Sequence, residues 1–248
     1  MSFESEEDIQ NSRRLAPKAG GDEIDLLEAC MRYREELGWT GTVLKELYAF
    51  VSFACAYPNS FSSLVDSYNT MESGVKNCAL VSLVLSDLGY RAVGIRLDSG
   101  DLAKLSQQAK ALFAEVSERY ADKGIDLNHM KVVASNDINE ATIKELNEKN
   151  HAVDAFGIGT NLVTCQAQPA LGMVYKVCEL RGGPRIKISE EPSKTTIAGA
   201  KSVLRAFNTS GQPMFDVLCM RDEFEAILAD PSSISAVYDR IKKQAVIE

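Results

Sequence analysis

The run Arg96-Leu97-Asp98-Ser99-Gly100-Asp101 holds the densest group of chemically useful side chains, and it follows a β-rich segment. Side chains alternate between the two faces of a strand, so Arg96 and Asp98 should point to the same face. An arginine fork beside a carboxylate can bind a planar carboxylate or a phosphate. The same residues could equally form an internal ion pair, with Ser99 or Asp101 capping the next helix.

A second candidate is Gly157-Ile158-Gly159-Thr160, which follows another predicted strand. Glycines allow the backbone to approach a phosphate closely, and backbone N–H groups and the Thr160 hydroxyl can donate hydrogen bonds to it. Glycine pairs also close ordinary strand–helix turns. Asp66 and Asp137 follow two more predicted strands, where they could hold ribose hydroxyls or hydrated magnesium, or cap helices.

These candidates need a framework that brings the ends of their strands together. Four hydrophobic runs predict strands: 61–65, 91–97, 131–134 and 153–156. Apolar residues at helical spacing separate them: 74–88, 102–116 and 140–147. The alternation predicts parallel βαβ units, whose carboxyl ends meet at one edge of a sheet and form the usual ligand site of such folds.

The pattern changes on either side of this core. Helices are predicted at 23–37 and 46–56, after a polar start, and hairpins are predicted after Gly172, with a final helix at 234–245. We therefore expect three regions. They are a polar and helical lead-in (1–45), an α/β core that carries the candidate loops (46–171), and a smaller antiparallel region rich in hairpins that ends in a helix (172–248).

Composition excludes several classes of protein. The 248 residues include 27 basic and 35 acidic side chains, a net charge of −8, which argues against nucleic acid as a partner. No apolar run reaches the roughly 18 residues that span a bilayer, and the acidic start is unlike a secretion signal, so we expect a cytosolic protein with no membrane partner. Residues 172–205 hold seven basic and three acidic side chains, which suggests a small anionic ligand.

The cysteines and histidines do not predict a metal site. Six cysteines are scattered without a C-x-x-C pair, which is typical of buried free thiols in a reducing compartment. His129 precedes a predicted strand and His151 follows a predicted helix. Both should therefore lie on the amino-terminal side of the sheet, away from the expected site, and we assign neither a catalytic role.

Six ordered motifs resemble eukaryotic-type nicotinate phosphoribosyltransferases, a type II phosphoribosyltransferase family of NAD biosynthesis. The motifs are Gly89–Leu102, Leu64–Thr70, Val133–Ile138, Phe156–Thr160, Val163–Pro169 and Pro184–Glu190. The resemblance implies an irregular barrel-like α/β core, incomplete here, followed by an antiparallel region. It also implies transfer of a phosphoribosyl group from 5-phosphoribosyl 1-diphosphate to nicotinate, with magnesium, with ATP as a co-substrate, and as a homodimer in the full-length form.

The resemblance also assigns roles to matched positions. Arg96 corresponds to the residue that binds the nicotinate carboxylate, and Asp98 is the candidate catalytic residue. The phosphoribosyl diphosphate site would comprise Thr160, Gly159, Gly157, Asp137 and Asp66. Family members are about twice as long, so we expect a fragment that lacks the amino-terminal half, with its ring-stacking tyrosine and phosphorylated histidine.

Other functions remain open alongside this one. A non-catalytic ligand-binding or partner subunit of the same family would bind nucleotide without turnover. Nicotinamide and quinolinate phosphoribosyltransferases share the fold type, although nicotinamide has no carboxylate for Arg96 and quinolinate has two. An unrelated phosphosugar barrel would share the glycines that follow the strands but not the six motifs in order.

Overall fold

The computed structural model describes residues 12–164 and 174–230, together with two short strands nearer the carboxyl terminus. The chain divides into two compact units. The first comprises residues up to 172 together with Ile188–Lys194, and the second comprises 173–187 and the residues from 195 onward. The motif Val163–Pro169 lies only partly within the described residues. None of the described helices combines the length and the apolar character needed to cross a membrane.

The first unit contains six described strands and six described α-helices. The strands are β1 (Arg14–Leu15), β2 (Ile24–Asp25), β3 (Ser62–Leu64), β4 (Gly94–Leu97), β5 (Lys131–Ala134) and β6 (Ala155–Phe156). The helices are α1 (Leu26–Glu36), α2 (Leu44–Ala56), α3 (Lys76–Asp87), α4 (Leu102–Arg119), α5 (Glu140–Glu148) and α6 (Thr160–Val163). Each predicted strand and helix of the α/β core forms, with ends that shift by a few residues.

The predicted parallel sheet is confirmed. Its order is β3-β4-β5-β6 and every neighbouring pair is parallel, with Arg96 opposite Leu64 on one side and Val133 on the other. The helices between these strands provide the crossovers that parallel pairing requires. The carboxyl ends of all four strands therefore lie at one edge.

The two faces of this sheet differ in burial. Ile95, Leu97, Val132 and Ala134 are fully buried in the core, and α4 packs against β4 and β5. Arg96 lies between two of these residues in β4, on the opposite face, and is exposed. The two-residue alternation expected of a strand thus separates the buried face from the face that carries Arg96.

The helices also follow from their sequences. Nine residues of α3 are buried, because the helix is apolar on nearly all sides and both α1 and α2 pack against it. In α4 the apolar residues form one stripe, and the Asp101 carboxylate caps its amino end by accepting from Lys104 N at 3.2 Å. This confirms Asp101 as one of the two proposed caps.

One local feature was not predicted. Thr70–Val75 forms a π-helical segment that continues into α3, where the sequence predicted only an α-helix from Gly74. A Cβ atom at Gly74 would lie 1.9 Å from Val65 O, so only glycine permits this approach to the end of β3. The segment therefore packs directly beside Asp66.

The second unit is mainly antiparallel. It contains the hairpin β7 (Glu179–Leu180) with β8 (Gly183–Pro184), the longer hairpin β9 (Lys201–Phe207) with β10 (Pro213–Met220), and helix α7 (Arg221–Ala229). The longer hairpin forms where it was predicted. In the shorter one, β8 lies inside the predicted turn 181–184 and not at the predicted strand 185–189, and α7 was not predicted.

The prediction of a helix at 234–245 is wrong for the four residues of this segment that the structure describes. Tyr238–Asp239 and Gln244–Ala245 are strands, β11 and β12, which pair antiparallel. The apolar residues of this segment include Val237, Tyr238 and Ile241, and β-branched and aromatic residues favour strands as well as fitting a helical spacing. Short-range pairing therefore outweighs the helical pattern.

Candidate functional site

The carboxyl edge of the parallel sheet brings the predicted site residues together. Asp66 follows β3, Asp98 follows β4 directly, Asp137 lies in the loop after β5, and Gly157–Thr160 follow β6. Because the four strands are parallel and adjacent, their carboxyl ends form one continuous row of loops. Sequence residues from 66 to 160 thus contribute to one candidate site.

Asp66 belongs to a buried polar contact. Its Oδ2 atom accepts a hydrogen bond from Ser99 Oγ at 2.6 Å, and both side chains are buried. Its main-chain oxygen accepts from Glu190 N at 3.1 Å. Asp66 therefore links the ends of β3 and β4 and does not cap a helix, which was the alternative interpretation.

Asp98 is held by groups from two other parts of the first unit. Ser135 Oγ donates to its Oδ1 at 2.5 Å, and Lys194 Nζ lies 3.4 Å from its Oδ2 and also donates to its main-chain oxygen. Partial burial opposes ionisation, but the Ser135 hydrogen bond and the positive charges of Lys194 and Arg96 outweigh it and lower the pKa of Asp98. Asp98 is therefore a fixed carboxylate at neutral pH.

Arg96 has a different environment. It is exposed, and its guanidinium takes part in no hydrogen bond or ion pair with the residues that the structure describes. The internal Arg96–Asp98 ion pair considered from the sequence is therefore not formed, since Lys194 occupies that position beside Asp98. The five donors of Arg96 are left to face solvent on the open side of the sheet, where a planar anion can use them.

The glycine loop continues the sheet and then turns into a short helix. Gly157 N donates to Ala134 O at 2.8 Å, and a Cβ atom at Gly157 would meet the Ser135 side chain at 3.4 Å. Thr160 begins α6 and is exposed. Its hydroxyl has no hydrogen-bond partner in the described part of the chain. The Thr160 hydroxyl and the loop backbone beyond Gly157 are therefore the groups that can donate to a ligand.

Asp137 lies in a strained turn. Asn136 and Asp137 both have positive φ angles, 95° and 51°, a conformation that non-glycine residues adopt at an energetic cost. The Asp137 carboxylate is exposed and contacts no hydrogen-bonding group among the described residues. Asn139 caps α5 through Thr142 N at 3.0 Å, so the capping role considered for Asp137 belongs to Asn139.

Three residues that join these loops were not assigned to the site from the sequence. Ser135 and Lys194 bind Asp98, and the Glu190 carboxylate accepts from Thr70 N and Thr70 Oγ1 at 3.0 and 2.6 Å. Glu190 and Lys194 lie 120 and 96 residues from their partners. Their contacts leave no spacing signal, and the sequence marked this segment only through the Pro184–Glu190 motif and the basic stretch 172–205.

Two further observations limit the chemistry. An open cleft of about 590 Å³ lies beside Ser99 and Lys104, but neither Arg96, Asp98 nor Thr160 lines it, so it is not the candidate site itself. Within the described ranges, no group of three or more histidine, cysteine, aspartate and glutamate residues could hold a metal ion.

The histidines have structural contacts on the side of the sheet where they were predicted. His129 precedes β5, and its ring nitrogens lie 2.7 Å from Asp126 O and 2.9 Å from Ala92 O. His151 Nε2 lies 3.0 Å from Asn147 Oδ1. These contacts tie loops at the amino edge and leave neither ring at the carboxyl edge.

Comparison with known proteins gives a consistent result. The model of the nicotinate phosphoribosyltransferase (NAPRTase) family matches residues 49–230. A nicotinate phosphoribosyltransferase of Dictyostelium discoideum is 52% identical over 199 residues, which cover 80% of this chain and 33% of the relative. Nicotinate phosphoribosyltransferase 1 of Arabidopsis thaliana is 51% identical over 178 residues, covering 72% of this chain and 32% of the relative.

A solved structure matches as well. The crystal structure of human nicotinic acid phosphoribosyltransferase superposes with a TM-score of 0.53 at 30% sequence identity, covering 90% of this chain and 44% of that one. The fold is therefore part of the type II phosphoribosyltransferase fold. The chain spans about a third of the length of the two relatives.

Proposed function

The chain belongs to the nicotinate phosphoribosyltransferase family, and we propose that it carries the nicotinate- and phosphoribosyl-binding edge of an enzyme that makes nicotinate mononucleotide. The reaction transfers the phosphoribosyl group of 5-phosphoribosyl 1-diphosphate to nicotinate and releases diphosphate. The observation that carries the proposal is the single sheet edge where Arg96 and Asp98, at the end of β4, and the Gly157–Thr160 loop, after β6, lie on either side of the parallel strand β5.

Arg96 is the proposed ligand of the nicotinate carboxylate. Its guanidinium is exposed and unpaired among the described residues, so it can form a bidentate pair with a planar carboxylate. Nicotinamide offers no carboxylate to this group, and quinolinate offers two, which a single arginine matches poorly. The chemistry of Arg96 therefore favours nicotinate over these two alternatives.

The other loops are proposed to bind the phosphoribosyl part. Gly159 and Thr160 would donate to the phosphate through backbone and hydroxyl groups, and Gly157, whose N–H is bonded to Ala134 O, would allow the loop to approach it closely. Asp66 and Asp137 would lie near the ribose hydroxyls. Asp98, as an oriented carboxylate, is the proposed catalytic residue, because it can stabilise the positive charge that develops at the ribose C1 atom as diphosphate leaves.

Magnesium and ATP complete the proposed reaction. Bound magnesium would neutralise the negative charge that builds up on the leaving diphosphate. Mg²⁺ often keeps several waters and binds through one or two carboxylates plus substrate phosphates. The exposed Asp137 carboxylate fits such a site, whereas Asp66 is already bonded to Ser99. ATP is proposed as the co-substrate of the whole enzyme.

The whole enzyme is proposed to lie in the cytosol. Cys30, Cys55, Cys78, Cys178 and Cys219 are all free thiols, which supports a reducing compartment such as the cytosol. The whole enzyme is proposed to act as a homodimer, a state that light scattering of the full-length protein would test.

The proposal is tested by titrating the chain with nicotinate mononucleotide and magnesium in a calorimeter. We expect Arg96→Ala to weaken binding by more than about tenfold, since an ion pair with the ligand is lost. Arg91→Ala is the matched control, because Arg91 is also exposed but lies before β4, on the amino side. Equal affinities for the wild-type chain and Arg96→Ala would contradict the assignment.

Turnover separates the enzyme from a binding subunit. Formation of nicotinate mononucleotide by a full-length protein containing this chain, and its loss in Arg96→Ala, is the result expected of the enzyme. Tight nucleotide binding with no product under the same conditions would instead support the non-catalytic alternative.

A further inference from the structure

Segment Ile188–Lys194, here called the strap, belongs to the first unit although the residues on both sides of it belong to the second. It is attached to the ends of two neighbouring strands. Glu190 N donates to Asp66 O after β3, and Lys194 Nζ donates to Asp98 O after β4. The strap thus crosses the carboxyl edge of the sheet beside the candidate site.

Glu190 fixes the first attachment point. One oxygen of its carboxylate, Oε2, accepts from both Thr70 N at 3.0 Å and Thr70 Oγ1 at 2.6 Å. Thr70 is buried at the start of the π-helical segment. Three hydrogen bonds therefore anchor the strap at Glu190, four residues before Lys194.

Lys194 is the second attachment point, and it contacts Asp98 twice. Its Nζ donates to the Asp98 main-chain oxygen and lies 3.4 Å from Asp98 Oδ2 and 3.5 Å from Glu191 Oε2. The Lys194 side chain is only 21% exposed. Ser135 holds the other Asp98 oxygen, so the two contacts together restrict the rotation of the carboxylate.

We propose that Lys194 is a positioning residue, which acts on the reaction through Asp98 by holding its carboxylate and its main chain in one arrangement. This inference rests on the proposed function of Asp98. Two carboxylates within 3.5 Å compensate the charge of Lys194, so it is a poorer direct ligand for a substrate anion than the unpaired Arg96. Its effect on substrate is therefore indirect.

A double-mutant cycle tests this mechanism. Nicotinate mononucleotide affinity is measured for the wild-type chain, Lys194→Met, Asp98→Asn and the double variant. We expect Lys194→Met to weaken binding about tenfold when Asp98 is present and by less than about twofold in the Asp98→Asn background, because residues in contact are not additive. Additive losses would mean that Lys194 acts independently of Asp98 and would overturn the proposal.

Companion variants separate positioning from general stability. Lys194→Arg keeps a donor and a charge and should recover most of the affinity, whereas Lys194→Gln keeps a donor without the charge and should recover only part of it. Lys45→Met removes an exposed lysine from α2 and should leave affinity unchanged. Failure of Lys194→Arg to bind better than Lys194→Met would count against the proposal.

The same cycle is measured by chemical denaturation without ligand. We expect non-additive changes in the free energy of unfolding, since Lys194 and Asp98 are in contact. Additive unfolding energies would overturn the proposal even if nucleotide binds. If the wild-type chain fails to bind nicotinate mononucleotide while the unfolding cycle shows coupling, the proposed function fails and the positioning of Asp98 by Lys194 is retained.

Discussion

At the scale of single residues, two near neighbours in sequence have different environments at the carboxyl edge. Arg96 and Asp98 lie two positions apart at the end of one strand, yet Arg96 is unpaired among the described residues while Asp98 is held by Ser135 and Lys194. An unpaired guanidinium such as that of Arg96 can bind an anionic ligand reversibly. An oriented carboxylate such as that of Asp98 can stabilise positive charge that develops during a reaction. The difference between the two side chains thus depends on contacts with residues that lie far away in sequence.

Thr160 provides a test at this scale. Thr160→Val keeps the shape of the side chain and removes the hydroxyl donor, so we expect affinity for 5-phosphoribosyl 1-diphosphate to fall about tenfold or more. Binding of free nicotinate should change little. Calorimetric titration with each ligand checks this difference.

Thr164→Val is the control for Thr160→Val. The hydroxyl of Thr164, the residue directly after α6, donates to Thr160 O at 2.6 Å, so its removal tests the end of the helix without removing the proposed phosphate donor. Equal loss of affinity for both ligands in Thr160→Val would indicate disrupted folding and contradict a specific phosphate contact.

At the scale of elements, one aspartate ties a strand to its neighbours. Asp154, just before β6, accepts from Val132 N of β5 at 2.7 Å and pairs with Lys110 of α4 at 2.8 Å. Partial burial alone would raise its pKa, but the hydrogen bonds from Lys110 and Val132 outweigh burial and lower it. The carboxylate therefore stabilises the position of β6, the strand that leads into the Gly157–Thr160 loop.

Asp154→Asn should lower the free energy of unfolding by about 2 kcal/mol at pH 7, since a charge-assisted hydrogen bond is lost. The pKa of Asp154 is lower in the folded than in the unfolded state, so its stabilisation is present above the ordinary aspartate pKa of about 4 and is lost as pH falls through the folded value. The difference in the free energy of unfolding between the wild type and Asp154→Asn, measured by chemical denaturation, should therefore become smaller from pH 7 to pH 3.

The control is Asp122→Asn, which removes an exposed carboxylate from the turn after α4. It should change the free energy of unfolding by less than about 0.5 kcal/mol at either pH. An Asp154→Asn variant whose deficit stays constant down to pH 3 would show that the ion pair contributes nothing to stability.

At the scale of the whole molecule, the two units differ in their cores. The first unit buries a continuous set of apolar side chains around α3, β4 and β5. In the described part of the second unit, Cys219 is the one buried hydrophobic side chain, and residues such as Val203, Phe207 and Leu218 are more than half exposed. Backbone pairing with so little apolar burial gives the described strands of the second unit much less local stability than those of the first.

Native-state hydrogen exchange should report this difference. We expect the amides of Ile95 and Leu97 to exchange only on global opening, and the paired amides of β9 and β10 to exchange at least about a hundredfold faster. The amides of both units belong to hydrogen-bonded strands, so a difference in their exchange rates reports the difference in side-chain packing. Equal protection in the two units would contradict the inference from burial.

The sequence by itself determined those features of the protein that depend on interactions between residues close together in the chain. Hydrophobic runs of strand length, separated by helical spacing, predicted the parallel sheet, because each element must bury its own apolar face. The two-residue period predicted that Arg96 and Asp98 share a face, and the family motifs located the loops. These features depend on neighbours a few residues apart, which a pattern can record.

Only the tertiary structure decided how the loops are joined. Lys194 reaches Asp98 across 96 residues and Glu190 reaches Thr70 across 120, and no local pattern encodes such a pairing. The π-helical segment depends on the close approach of Gly74 to Val65, and the helix predicted at 234–245 gives way to strand pairing at the described residues. In each case, long-range contacts or competing pairings outweigh weak local preferences, since packing supplies more free energy than propensity.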